Sequence, residues 1–290
     1  MIFAGKSRVA LPFFISFSRE MMSIKSNISG LLRKINLLSL AEKTRFYLQK
    51  LKYKKGNDVF RKEHPDFILP PVFFIYETYR LNYKWYYEDG KNTAREIVTL
   101  LSKYDDYSHK GKKILDWGCG PGRIVRHLPT LLPNAEIYGS DYNENYINWC
   151  RANLKGIIFS INRINPPMNF GDSFFDAIAG LSIFTHLSER NHILWIKELH
   201  RIVKQGGQVL ITTQGEAYYS KLTTKEKEQF KSNKLVIREY LNEGNRLYSS
   251  FQPFAFMKEL MEGKFDIIEF NPGKLEYGDT SQDSWLLRKI

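Results

Sequence analysis

Apolar and polar residues alternate along the middle of this chain with two periods, and together they predict a regular series of elements. Short runs with an apolar centre fall at 113–117, 136–140, 157–160, 175–180 and 208–212. Each is too short for a helix and reads as a buried strand. Between them, 122–132, 144–153 and 188–203 carry apolar residues at helical spacing, and 91–104 is a further helix ahead of the first strand, with Gly90 breaking the chain before it. Strands alternating with helices at this spacing predict an α/β fold with a mostly parallel sheet covered on both faces. Right-handed crossovers then bring a ligand to the carboxyl ends of the strands.

The flanks are less regular. Apolar residues recur at helical spacing from Ile28 through Leu31, Leu32, Ile35 and Leu38, interleaved with Arg33, Lys34, Lys43, Arg45, Lys50 and Lys52. Residues 52–62 are polar and read as a linker. Pro70 and Pro71 punctuate the chain before an aromatic-rich stretch at 72–87, which is expected to help wall a substrate side. Beyond the fifth strand, 223–231 reads as a charged helix, and 235–240 and 246–250 as a hairpin over the pocket, joined through Asn242-Glu-Gly-Asn. A last helix at 253–262 and strands at 265–270 and 285–289 close the chain. The expected organisation is a basic extension over 1–62, a helical lead-in over 63–110, and a ligand-binding domain over 111–290 with an insertion at about 215–252.

Charge sharpens this division. Of the net +12, residues 1–62 hold 14 Lys plus Arg against 3 Asp plus Glu, and the remaining 228 residues hold 29 against 28. The body is nearly neutral, so a basic face for nucleic acid, which relies on clustered cations for counterion release, is not indicated. The basic segment over 28–52 either lies on an anionic membrane as an amphipathic helix or, more simply, caps the domain or a second subunit. Residues 1–20 superficially resemble a secretory or transit sequence; the plainer reading is an upstream extension with the true start at Met21 or Met22. Only Cys119 and Cys150 are present, which gives no disulfide framework. Six scattered His without ligand spacing argue against a zinc site.

The chemistry concentrates at the end of the first strand, where residues 114–123 read Ile-Leu-Asp-Trp-Gly-Cys-Gly-Pro-Gly-Arg. Glycines at 118, 120 and 122 permit a tight strand-to-helix turn and let a ligand lie on bare main chain. A dinucleotide fingerprint needs a third glycine three residues after the second, and position 123 is Arg. Asp116 instead offers a carboxylate suited to a cationic or hydroxyl-rich ligand. A second acid, Asp141, ends the second strand 23 residues after Gly118, close to the spacing of about 20 between a glycine turn and its ribose acid.

With these residues the chain resembles the class I S-adenosylmethionine (SAM) dependent methyltransferases. The likeness continues through Phe175-Asp-Ala-Ile-Ala-Gly, Leu181-Ser-Ile-Phe-Thr-His-Leu, Gly206-Gly207 and Gln208-Val-Leu-Ile-Thr-Thr, and covers residues 90–215 well. It implies a Rossmann-like, seven-stranded sheet with an antiparallel edge pair at the C-terminus, and SAM as cofactor, with S-adenosyl-L-homocysteine (SAH) as product. It assigns Asp116, Gly118 and Gly120 to the methionine end, with Cys119 between the glycines also cofactor-binding, Asp141 to the ribose, Tyr142 to the adenine face, and Leu181 and Ser182 to the cofactor floor. Asn162 stands where the family often has an acid near the adenine amino group, and an amide still accepts that bond. His186 follows the fourth strand, where donor and acceptor meet, and is a candidate general base; the more ordinary reading is structural. Asn165-Pro-Pro-Met resembles an amine-methylating motif, but it precedes the fourth strand and reads as a turn.

The resemblance implies a cytoplasmic enzyme acting on a small-molecule or glycan acceptor, at oxygen, as in bacterial surface-glycan methyltransferases. A lipid or quinone acceptor at the membrane is the competing reading. A non-catalytic SAM-fold binding module is the third, and the intact acids at 116 and 141 count against it.

Overall fold

The computed structural model describes residues 38–239, 242–276 and 279–290. The expectations for 1–20, and for the amphipathic segment up to residue 37, lie outside the described residues. The chain divides into two units, Met1–Leu51 and Lys52–Ile290, and the sheet lies wholly in the second. No helix among the described residues is long and apolar enough to cross a membrane.

Three helices, α1 (Leu38–Glu63), α2 (Val72–Thr78) and α3 (Tyr83–Ser102), precede the first strand. Strands β1 (Lys113–Trp117), β2 (Glu136–Asp141), β3 (Ile157–Ile161), β4 (Phe175–Gly180) and β5 (Val203–Thr213) follow, with α4 (Leu128–Leu131), α5 (Glu144–Asn153) and α6 (Glu189–Ile202) between them. The chain continues through α7 (Thr224–Lys231), β6 (Val236–Glu239), β7 (Tyr248–Phe251), α8 (Phe254–Met261), β8 (Phe265–Asn271), β9 (Leu275–Glu276), β10 (Asp279–Thr280) and β11 (Asp283–Lys289). The main sheet has seven strands in the order β3-β2-β1-β4-β5-β11-β8. Its first five strands are parallel, and β11 pairs antiparallel with both β5 and β8. This is the Rossmann-like architecture expected. The order reverses between β1 and β4, which opens a crevice at their carboxyl ends.

Both faces of the sheet are covered, which is why its central strands have largely apolar, buried middles rather than alternating. Successive side chains leave a strand on opposite faces. Leu115, Ile178, Val209 and Leu287 therefore pack with Trp195, Ile196 and Leu199 of α6 and Met257 and Met261 of α8. Their neighbours Ile114, Ala177, Leu210 and Leu286 pack with Ala94, Ile97 and Leu101 of α3 and Ile147 and Cys150 of α5.

Four expected elements differ in the structure, each for a local reason. Residues 52–62 are not a linker but part of α1, because buried Asn57 and Phe60 share one face of the helix. Asn57 Nδ2 donates to the Leu81 carbonyl at 2.8 Å, and its Oδ1 accepts from the Tyr83 amide at 2.9 Å. Gly90 lies inside α3 instead of breaking the chain before it. A Cβ there would stand 2.4 Å from the Arg123 carbonyl oxygen, so a glycine allows the helix to approach the loop after β1. The helix expected over 122–132 is a turn, a 3-10 segment at Val125–His127 and the single turn of α4. Pro129 has no amide for the Val125 carbonyl, which accepts from Leu128 instead. Strand β5 begins at Val203, not 208, because its pairing with β4 resumes across a bulge that contains Gly206 and Gly207.

Candidate active site

A cleft of about 370 Å³ opens at the carboxyl ends of β1 and β4. Its floor is the glycine turn after β1. The Gly118 and Cys119 amides donate to the Ser140 carbonyl at 2.7 and 2.9 Å, fastening the turn to β2. Gly118 has φ 76°, and a Cβ there would stand 1.9 Å from Ile183 Cδ1, so a larger residue would strain the backbone and displace the Ile183 side chain.

Two carboxylates stand at this floor in different surroundings. Asp141 Oδ2 accepts from the Gly120 amide at 2.9 Å and its Oδ1 from the Asn143 amide at 2.8 Å, so the side chain is locked between the turn and the start of α5. Burial raises its pKa to about 6, against the lowering effect of the Asn143, Gly120 and Tyr142 amides. Asp116 is 3% exposed, and its Oδ2 has no hydrogen-bond partner. Burial raises its pKa to about 7; the Arg123 charge opposes this and the Asp141 charge adds to it. An unmatched buried carboxylate oxygen costs on the order of 1–3 kcal/mol, and a cationic or hydrogen-bond-donating ligand removes that penalty.

Nine of the ten residues expected at the site line this cleft: Asp116, Gly118, Cys119, Gly120, Asp141, Tyr142, Leu181, Ser182 and His186. Asn162 instead lines a side cavity of about 60 Å³. The two spaces share Asp141, Tyr142, Ile183, His186 and Gly244, so they adjoin at the end of β2. Asn162 Nδ2 donates to the Arg163 carbonyl at 2.8 Å, while its buried Oδ1 has no partner and remains an acceptor. Cys119 is buried, and burial pushes its thiol pKa well above the usual value. Ser182 is fixed by its amide, which donates to Thr212 Oγ1 at 2.8 Å, and by its hydroxyl, which donates to Gln282 Oε1 at 2.9 Å.

The opposite wall comes from remote segments. Helix α2 supplies Glu77, whose carboxylate accepts from the Tyr146 hydroxyl at 2.8 Å, and Thr78, which faces Gly120. Arg123 pairs with Asp89 and lies 4.6 Å over the Tyr79 ring. Arg246 lies 4.3 Å over the Tyr76 ring and donates to the Tyr76 carbonyl at 3.0 Å. Sequence reasoning missed Glu77, Tyr146, Arg123 and Arg246; its only signals were the aromatic stretch before α3 and the hairpin expected over the pocket.

That hairpin, β6 with β7, holds the loop carrying His186. The Gly244 amide donates to the His186 carbonyl at 2.9 Å, and the Tyr142 hydroxyl donates to the Gly244 carbonyl at 3.1 Å. Glu243 Oε1 accepts from the Ser188 amide at 2.5 Å and from Asn191 Nδ2 at 2.8 Å. His186 Nδ1 lies 2.7 Å from the Tyr248 carbonyl oxygen. A carbonyl only accepts, so Nδ1 carries the hydrogen and the neutral ring leaves Nε2 as an acceptor. Burial lowers the pKa of this imidazole, which favours that neutral form. The Asn165-Pro-Pro-Met segment lines neither cavity: Asn165 Oδ1 accepts from Asn191 Nδ2 at 2.7 Å, and Met168 is in the core. Among the described residues no group of His, Cys, Asp and Glu could hold a metal ion.

Comparison with known proteins places this geometry. Residues 114–207 match the family model described as a methyltransferase domain. A fatty-acid O-methyltransferase of Mycolicibacterium smegmatis is 31% identical over 105 residues, 36% of this chain and 37% of that protein. A malonyl-[acyl-carrier protein] O-methyltransferase of Bacillus cytotoxicus is 27% identical over 175 residues, 59% of each. The match thus spans less than two thirds of either relative's length. In fold, the chain resembles the crystal structure of magnesium protoporphyrin IX methyltransferase from Synechocystis PCC 6803 with bound SAH, with TM-score 0.50, 14% identity, and coverage of 85% of this chain and 100% of that one. From the strand order, the glycine turn with its two acids and the matching family model, the chain carries a class I SAM-dependent methyltransferase domain.

Proposed function

We propose that the chain transfers the methyl group of SAM to a hydroxyl oxygen of a small, carbohydrate-type acceptor. Bound SAM would supply a methyl carbon activated by its sulfonium. The residues present fit that cofactor. Asp116 Oδ2, buried and unmatched, suits the positively charged methionine end, and Gly118 and Gly120 leave main chain bare beside it. Asp141, held by two amides, is set to receive the ribose hydroxyls, and Tyr142 with the free acceptor of Asn162 borders the adenine side.

The observation that carries the acceptor reading is the state of His186. Its Nδ1 is committed to the Tyr248 carbonyl, burial keeps the ring neutral, and the residue lines the cleft. Nε2 is then the atom that takes the acceptor's hydroxyl proton as the oxygen attacks. Glu77, Thr78, Asn245 and Arg246 supply a polar wall suited to several hydroxyls. Aligning the acceptor and excluding water would provide most of the rate enhancement, with effective molarity worth up to about 7–11 kcal/mol in ideal cases.

A second reading is a carboxylate acceptor, favoured by Arg246 on the wall and by the two relatives named for fatty-acid and malonyl acceptors. An ionised carboxylate needs no base. Incubation with methyl-labelled SAM and separate pools of sugars, sugar nucleotides and fatty acids tests both, with product mass located by fragmentation. Label in a base-stable ether on a sugar supports the hydroxyl reading; label only in base-labile esters replaces it with the carboxylate one.

A further inference from the structure

Among the described residues, helix α1 carries buried side chains in its second half and exposed apolar ones in its first. Asn57 and Phe60 are buried on one face. Nearer the helix start Tyr47, Leu48 and Leu51 stand 61%, 62% and 71% exposed. Their spacing of one and four residues places them together on the surface of a helix. Exposed Lys43, Lys50 and Lys54 flank this stripe on one side and Lys52 on the other, with Lys55 on the next turn. Acidic residues do little to neutralise the segment: over 42–55 the one acid is Glu42, which bridges Arg45 at 3.8 Å within the helix.

We propose that this face of α1 docks on an anionic lipid bilayer. The charge pattern selects that partner. Lysines on both sides of an apolar stripe match a surface with acidic headgroups and an apolar interior directly beneath, and long lysine stems let the ammonium groups stay at the phosphates while the stripe enters the acyl boundary. Nucleic acid would engage the lysines and leave Leu48 and Leu51 in water. The inference is independent of the methyl-transfer reading, because it rests on residues outside the cleft.

Flotation of the full chain with phosphatidylcholine vesicles, with and without phosphatidylglycerol, tests it. The chain is expected to float only with the anionic vesicles. Leu48→Gln/Leu51→Gln, which keeps helix propensity, and Lys50→Glu/Lys54→Glu should each weaken partitioning by about tenfold or more. SAM binding should be unchanged in both variants, which shows that they fold. Failure of the wild type to float overturns the proposal, as does unchanged flotation of either variant. A dimer in solution that the leucine variant dissociates, without vesicle binding, would instead assign the face to a second copy of the chain.

Discussion

The two walls of the cleft are built in different ways. The side proposed for the cofactor is made by residues close together in sequence at strand tips: Asp116 near the end of β1, Gly118 and Gly120 just after it, Asp141 ending β2 and Tyr142 following it. Its geometry follows from sheet register and main-chain hydrogen bonds, with few side chains involved. The side proposed for the acceptor is assembled from α2, the loop after β4 and the β6–β7 hairpin, which are far apart in sequence and joined by side-chain contacts. A site of this kind can keep one half while the other is rebuilt by changes in inserted segments. It follows that damage to one side should read out in cofactor affinity and damage to the other in turnover.

The strongest break is expected on the acceptor side. His186→Ala should lower kcat for a hydroxyl acceptor by about 10²–10⁴-fold while SAM affinity stays within about threefold, measured by steady-state kinetics and calorimetry. A loss of SAM binding of the same size would merge the two sides. On the cofactor side, Asp141→Ala should weaken SAM by about 100-fold or more, because it removes charged acceptors for two hydroxyls and leaves the Gly120 and Asn143 amides unmatched.

A smaller effect, near tenfold per pH unit at most, is expected from Asp116. Its folded carboxyl titrates at about 7, and a cationic ligand favours the ionised form, so binding releases a proton below that pH. SAM affinity should therefore rise from pH 5.5 to about 7 and then level off, and titrations in buffers of different ionisation enthalpy should detect the proton. In the unliganded protein the sign is reversed. A carboxyl raised above its ordinary value contributes stability below that value and loses it as pH rises through about 7. The smallest expected change comes from Glu243→Gln, which keeps an acceptor for Ser188 and Asn191 but loses the charge; kcat should fall by about threefold to tenfold with SAM affinity unchanged.

The same contrast explains what could be read from the sequence. Strands β1 and β4 and helix α5 lie where the apolar runs place them, and the glycine turn with its two acids is a contiguous signal. The acceptor wall has no such signal. Nothing local pairs Glu77 with Tyr146 or puts Tyr248 against His186, since those partners are separated by 69 and 62 residues and meet only through packing. Gly90 shows the same limit within one element: local propensity marks it as a break, and the Arg123 carbonyl beside α3 makes it a requirement. The 52–62 segment looked polar, but burial there rests on Asn57 and Phe60 alone.

Parallel calorimetric titration of wild type, Asp141→Ala and His186→Ala with SAM tests the central claim most directly. Wild type and His186→Ala should bind one equivalent with similar affinity while Asp141→Ala loses it. No saturable binding to wild type, or equal behaviour of the two variants, would contradict a cleft with separable cofactor and acceptor sides.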